Sequence, residues 1–161
     1  MMKSIPVWKQ ELSDGVHAAR LASLYCCAPA ETASEAARYA AVLDGLEKTF
    51  GSHAEAGLYS APGRTEIGGN HTDHQHGRVL AGSVNIDMIA AAAPNDKNQL
   101  RVQSEGYDLC VIDLNDLEAR KEEENTTAAL LRGECAAFTQ RGAKLAGLDI
   151  YISSNCLLYT S

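Results

Sequence analysis

Between Ser60 and Asp87 the chain reads SAPGRTEIGGNHTDHQHGRVLAGSVNID, with Gly63, Gly68, Gly69, Gly77 and Gly82 set among Arg64, Glu66, Asn70, His71, Asp73, His74 and His76. No other stretch constrains the fold as strongly. Glycine loses more conformational freedom on folding than any other residue, so this density implies backbone that bends sharply or approaches another group closely. Pro62 adds a further break, and the segment after Gly51 is expected to consist of turns between short extended pieces. The polar groups suit a small, highly hydroxylated ligand, a sugar above all. A carboxylate such as Asp73 accepts two hydroxyl donors, and an imidazole such as His71 donates from one nitrogen and accepts at the other. A metal cluster of His71, Asp73, His74 and His76 is the rival, with a plain His-rich surface loop behind it. These residues are not spaced four apart on one helix as in the helical zinc motif, and the ligand site is the reading preferred.

Periodicity organises the flanks. Thr32 and Glu35 fit a capping box, and Ala36, Tyr39, Ala40, Leu43, Leu46 and Phe50 follow at helical spacing, predicting a helix over Ala33 to Phe50 that Gly51 ends. A weaker helix is expected over Asp14 to Tyr25, interrupted by Ala28, Pro29 and Ala30. Val84, Ile86 and Met88 alternate with Asn85 and Asp87, the period of a half-buried strand that continues into Ala90 to Ala93. Pro94 to Asp96 should turn, and Leu100 to Gln103 should pair antiparallel with Leu109 to Leu114. Glu122, Glu123 and Glu124 read as a solvated acidic turn before a helix capped by Asn125 or Thr126. That helix should run to about Arg141, with Ala129, Leu130, Cys135, Ala136 and Phe138 available for burial. A last strand is expected over Leu148 to Ser154. His17 and His53 stand alone and are expected to face solvent.

Composition narrows the partners. A chain of 161 residues with 45% hydrophobic and 22% charged residues is long enough for one domain with a core. Fourteen basic against 21 acidic residues give a net charge of -7, which supplies no field for nucleic acid or an anionic membrane. Apolar runs fall far short of a membrane span, and Met1 to Gln10 lacks the apolar stretch of a signal peptide, so a cytoplasmic protein is expected. Cys26, Cys27, Cys110, Cys135 and Cys156 form an odd set without a CxxC pair and read as reduced thiols.

The glycine-rich segment resembles the N-terminal signature of the galactokinase family, roughly GRxNLIGEHTDY after a short Ala-Pro. Ala61, Pro62, Gly63, Arg64, Gly69, His71, Thr72 and Asp73 stand at the family's positions, and the resemblance extends over about Leu43 to Asn155. It implies an α/β (α+β) chain, the N-terminal part of a GHMP-kinase fold, with helices on one face of a mixed, mostly antiparallel sheet. The implied reaction is transfer of the ATP γ-phosphoryl group to the anomeric hydroxyl of galactose, with magnesium. Arg64 takes the catalytic position, stabilising charge on the transferred group. Asn70, His71 and Asp73 take the sugar-binding positions, and no cofactor or metal ligand is implied within this stretch.

Glu66, Gly68, Asn70 and His74 depart from the family's usual Asn, Ile, Glu and Tyr. A related hexose, N-acetylated or deoxy, and a non-catalytic galactose sensor therefore remain as alternatives. Residues 1–155 read as an incomplete N-terminal galactokinase domain with its sugar signature at 60–87. Residues 156–161, CLLYTS, are what TGTCTCTTATACACATCT encodes; that string resembles a transposon-end sequencing adaptor and is expected to be a non-native tail. The family's glycine- and serine-rich phosphate loop is expected where these residues stand. Without that loop and the later catalytic aspartate, the chain is expected to bind neither ATP nor Mg2+ and to be inactive. An open sheet edge and an uncovered apolar face are expected to favour self-association.

Overall fold

The computed structural model describes residues 1–69, 72 and 75–155. Helix α1 (Ile5–Ser13) opens the chain. The first 60 residues read as helical, though no periodicity marks the bounds of this helix; its signal is Pro6 in the first turn, where a missing N–H costs nothing. The next helix is shorter than expected, because Gly15 turns in the left-handed region (φ 72°) and delays the start of α2 (Ala18–Tyr25). Cys26 closes α2 in the same conformation (φ 54°). Helix α3 (Ala33–Phe50) has the expected bounds, and the Gly51 N–H reaches Glu47 O at its end.

The expected capping box is absent. A 3-10 turn at Pro29–Glu31 leaves Thr32 outside extended geometry (φ -84°, ψ 0°), and its hydroxyl donates to Pro29 O at 2.9 Å. Glu35 pairs with Arg38 instead, while Glu31 accepts the Ala28 N–H at 2.9 Å.

The sheet has five strands in the order β1-β2-β5-β3-β4: β1 (Gly57–Gly68), β2 (Leu80–Pro94), β3 (Gln99–Ser104), β4 (Cys110–Asp113) and β5 (Leu148–Ser154). Only the β3–β5 pairing is parallel. Instead of short pieces between turns, residues 57–68 form one long strand. Its proline is tolerated because β1 is an edge strand, whose outer N–H groups need no partner.

Ile89, Ala91 and Ala93 on β2 meet Val42, Leu43 and Leu46 of α3 in the core. The small alanines bring the helix close. At Gly45, the Tyr151 ring of β5 occupies the space a Cβ would need, which explains a glycine inside a helix where it costs about 1 kcal/mol against Ala. Helices α1 to α3 share this core, while α4 (Thr127–Gln140) packs beside β4.

Two burial expectations fail. On β2 the phase is the reverse of the apolar one: Asp87 is 2% exposed, whereas Ile86 and Met88 are 47% and 40% exposed. On α4, Leu130 and Phe138 are 64% and 54% exposed, and the buried side chains are Arg132 and Cys135. Arg132 is held inward by Glu123 (2.7 and 2.8 Å), so that residue of the acidic run is paired rather than solvated. The bonds from Arg132 hold the Glu123 carboxyl below the usual carboxylate range. Thr126 caps α4 through Oγ1, as expected.

Candidate functional site

The glycine-rich segment carries an antiparallel pair of strands, β1 and β2, with residues 69–79 between them, of which 69, 72 and 75–79 are described. Thr72 organises a turn there. Its N–H and hydroxyl both donate to Gly69 O (3.1 and 2.7 Å), and its own carbonyl accepts from the Gln75 and Gly77 N–H groups (3.0 and 2.8 Å). Both flanking glycines are required sterically. Gly69 sits at φ 103° with its absent Cβ 2.5 Å from Arg78 O, and a Cβ on Gly77 would strike the Thr72 side chain. Asn70, His71 and Asp73 lie outside the described residues, as does His74 of the rival metal cluster. Among the described residues, no group of three His, Cys, Asp or Glu side chains is placed to hold a metal ion.

Arg64 lies on β1 opposite Ser83, with its side chain 63% exposed and Nη2 3.3 Å from Glu66 Oε1. It is presented on the same hairpin as the turn. Just before it the ladder slips: the pairs Pro62–Asp87 and Arg64–Ser83 enclose two steps on β1 and four on β2.

At that slip lies a polar cluster that sequence reasoning missed. The Asp87 carboxylate accepts from Tyr25 OH (2.6 Å), Ser60 Oγ (2.5 Å) and Arg38 Nη2 (3.0 Å). Tyr39 OH lies 3.2 Å from Tyr25 OH, and Asn85 Nδ2 bonds Tyr25 O. The Tyr25 phenol is pushed far up by burial and by its bond to Asp87. Asp87 therefore ties α2, α3 and β1 to β2. The only sequence signal was an Asp at the nominal outward phase of a strand.

The two histidines expected in solvent are both partnered. His17 Nε2 lies 2.7 Å from Glu11 and its ring rests 5.3 Å from Trp8. His53 Nε2 lies 2.9 Å from Asp149, which is fully buried on β5 and also accepts from Arg101 and from Asn95 Nδ2 (2.6 Å). Burial raises the Asp149 carboxyl, but the donors outweigh it and hold the group below its ordinary value.

A cavity of about 730 Å3 opens between α1, α2 and β1, lined by Trp8, His17, Arg20, Leu24, Tyr59 and Ser60 among others. Arg64 and the described residues of 69–79 are not among its lining. Among the described residues no helix is long and apolar enough to cross a membrane.

Residues 46–94, from the end of α3 through β2, match the galactokinase galactose-binding signature. The galactokinase of Streptomyces coelicolor is 28% identical over 109 residues, covering 68% of this chain and 28% of that protein. That of Lacticaseibacillus casei is 28% identical over 116 residues (71% and 30%), and that of Ligilactobacillus salivarius 32% over 116 residues (70% and 29%). The chain thus spans about 30% of the length of the curated relatives it matches. The crystal structure of Lactococcus lactis galactokinase complexed with galactose has the same fold over 71% of this chain and 30% of that one, with a TM-score of 0.62 at 21% identity.

Proposed function

Since the chain belongs to the galactokinase family, as the counterpart of its N-terminal region, we propose that it is the sugar-holding part of a galactose 1-kinase. The observation that carries this reading is the galactose-binding signature over residues 46–94, which coincides with the hairpin that Gly69, Thr72 and Gly77 shape. In it, Asn70, His71 and Asp73 hold galactose hydroxyls. The Asp73 carboxylate is the strongest discriminator, because a site built to accept a hydroxyl rejects sugars lacking it there. Arg64 stands at the reacting hydroxyl, where a fixed cation stabilises a transferring phosphoryl group.

Mg-ATP does not fit the described residues. None of their helix starts carries a glycine-rich loop, and α4 begins behind Glu122 and Glu124, whose charge repels phosphate. No nucleotide step is therefore derived, and the chain alone is a sugar binder without kinase activity. Asn70, neutral where the family carries Glu, favours as second reading a related hexose, deoxy or N-acetylated.

Titration calorimetry of the chain with galactose, N-acetylgalactosamine and 2-deoxygalactose tests both readings, alongside a coupled assay for ADP release. Saturable heat with galactose and no ADP release are expected. No heat with any sugar overturns the sugar reading, and ADP release overturns the inactive one.

A further inference from the structure

Resting on the sugar-site reading, we propose that the Ser60–Asp87 hydrogen bond is a positioning device of that site, fixing where Arg64 and the rest of β1 beyond Pro62 stand. Ser60 directly precedes Ala61–Pro62–Gly63–Arg64, and its hydroxyl donates across the ladder to Asp87 Oδ2 at 2.5 Å. Asp87 is the last regularly paired residue of β2 before the register slips. Beyond it, Val84 to Ile86 have no β1 partner and pairing resumes only at Arg64–Ser83, so the far half of the hairpin does not continue the register of the near half.

The Asp87 carboxylate is bonded at both oxygens. Arg38 Nη2 holds Oδ1 and Tyr25 OH shares Oδ2, one from each of two packed helices. The backbone carbonyl of Asp87 accepts the Asn155 N–H at 3.1 Å, which pins the end of β5 to the same residue. Of these bonds, the one from Ser60 alone reaches the strand that carries Arg64. Asp87 is thus referenced to the helical core on one side, and Ser60 transmits that reference to the signature.

Three variants of the full chain separate positioning from stability. Ser60→Ala removes the bond to β1, Tyr25→Phe removes a bond to the same carboxylate from the helix side, and Ser60→Thr keeps a hydroxyl. Amide hydrogen exchange of Arg64–Gly68 in the sugar-free protein is read first, then galactose affinity by calorimetry. Ser60→Ala should lose roughly tenfold in both, the size of one hydrogen bond to a charged acceptor. Tyr25→Phe should lose global stability without either change, and Ser60→Thr should restore wild-type values. Equal effects of Ser60→Ala and Tyr25→Phe on Arg64–Gly68 exchange, or none, overturn the proposal. If wild type binds no galactose, the sugar reading fails, and exchange still decides the positioning claim.

Discussion

Replacing Asp149 by Asn tests the buried charge cluster at the centre of the sheet. The carboxylate has two oxygens and four donors: Oδ1 takes Arg101 Nε and Asn95 Nδ2, while Oδ2 takes Arg101 Nη2 and His53 Nε2. An amide replaces one oxygen with a donor, and neither orientation is satisfied. Pointed toward Asn95 it meets a group whose flip would forfeit bonds to Gln99 O and from the Lys97 N–H. Pointed toward His53 it asks that ring to accept at Nε2. The proton would then move to Nδ1, which is buried with no acceptor within reach. In both cases half of the Arg101 fork faces a donor inside the protein. Breaking a buried ion pair this way costs about 3–5 kcal/mol. The stacking of Arg101 on Phe50, 4.9 Å from the ring centre, is retained and offsets little of it. Urea unfolding followed by far-ultraviolet circular dichroism should show the midpoint falling by roughly 2 M at a slope of about 2 kcal/mol per molar. A loss below about 1 kcal/mol, the size of an ordinary surface change, would refute the reasoning.

The same cluster sets an acid limit. The folded Asp149 carboxyl lies below its ordinary 3.8, so its stabilisation is complete above that value and is lost as pH falls through the lower folded one. The wild-type urea midpoint should therefore drop steeply below about pH 4, and Asp149→Asn, though weaker throughout, should drop less steeply. Gly69→Ala places a methyl 2.5 Å from Arg78 O at a positive φ, so galactose affinity by calorimetry should fall at least tenfold while α-helical circular dichroism is unchanged. Ile86 and Met88 form part of an exposed apolar face on β2, and self-association is expected to rise with concentration in sedimentation velocity. Ile86→Lys should lower the apparent mass at a given concentration.

Elements with strong local signals were legible in the sequence: α3 with its closing glycine, the β3–β4 pair, α4 with its Thr126 cap, and β5. The misreadings share one cause, which is that periodicity reports polarity and not pairing. Asp87, Arg132 and Asp149 are buried, and His53 half-buried, because each meets a partner outside its own element, and no local pattern shows that. Alternation on β2 then favoured the wrong face. The long strand β1 was hidden by Pro62 and its glycines, which an edge strand with register slips accommodates. For the proposed site the motif supplies candidate residues, whereas the bonds of Thr72, Ser60 and Asp87 around it are visible only in the fold.

The central claim is that galactose is held by the segment between β1 and β2 and not in the cavity under α1 and α2. Titrating galactose into the isotopically labelled chain and following backbone amide shifts tests this most directly. Saturable shifts of Gly69, Thr72, Gln75 and Gly77, with Arg64 moving alongside them, are predicted, at one common affinity. Shifts confined to Trp8, Arg20, Leu24 and Tyr59, or none at saturating sugar, would contradict it.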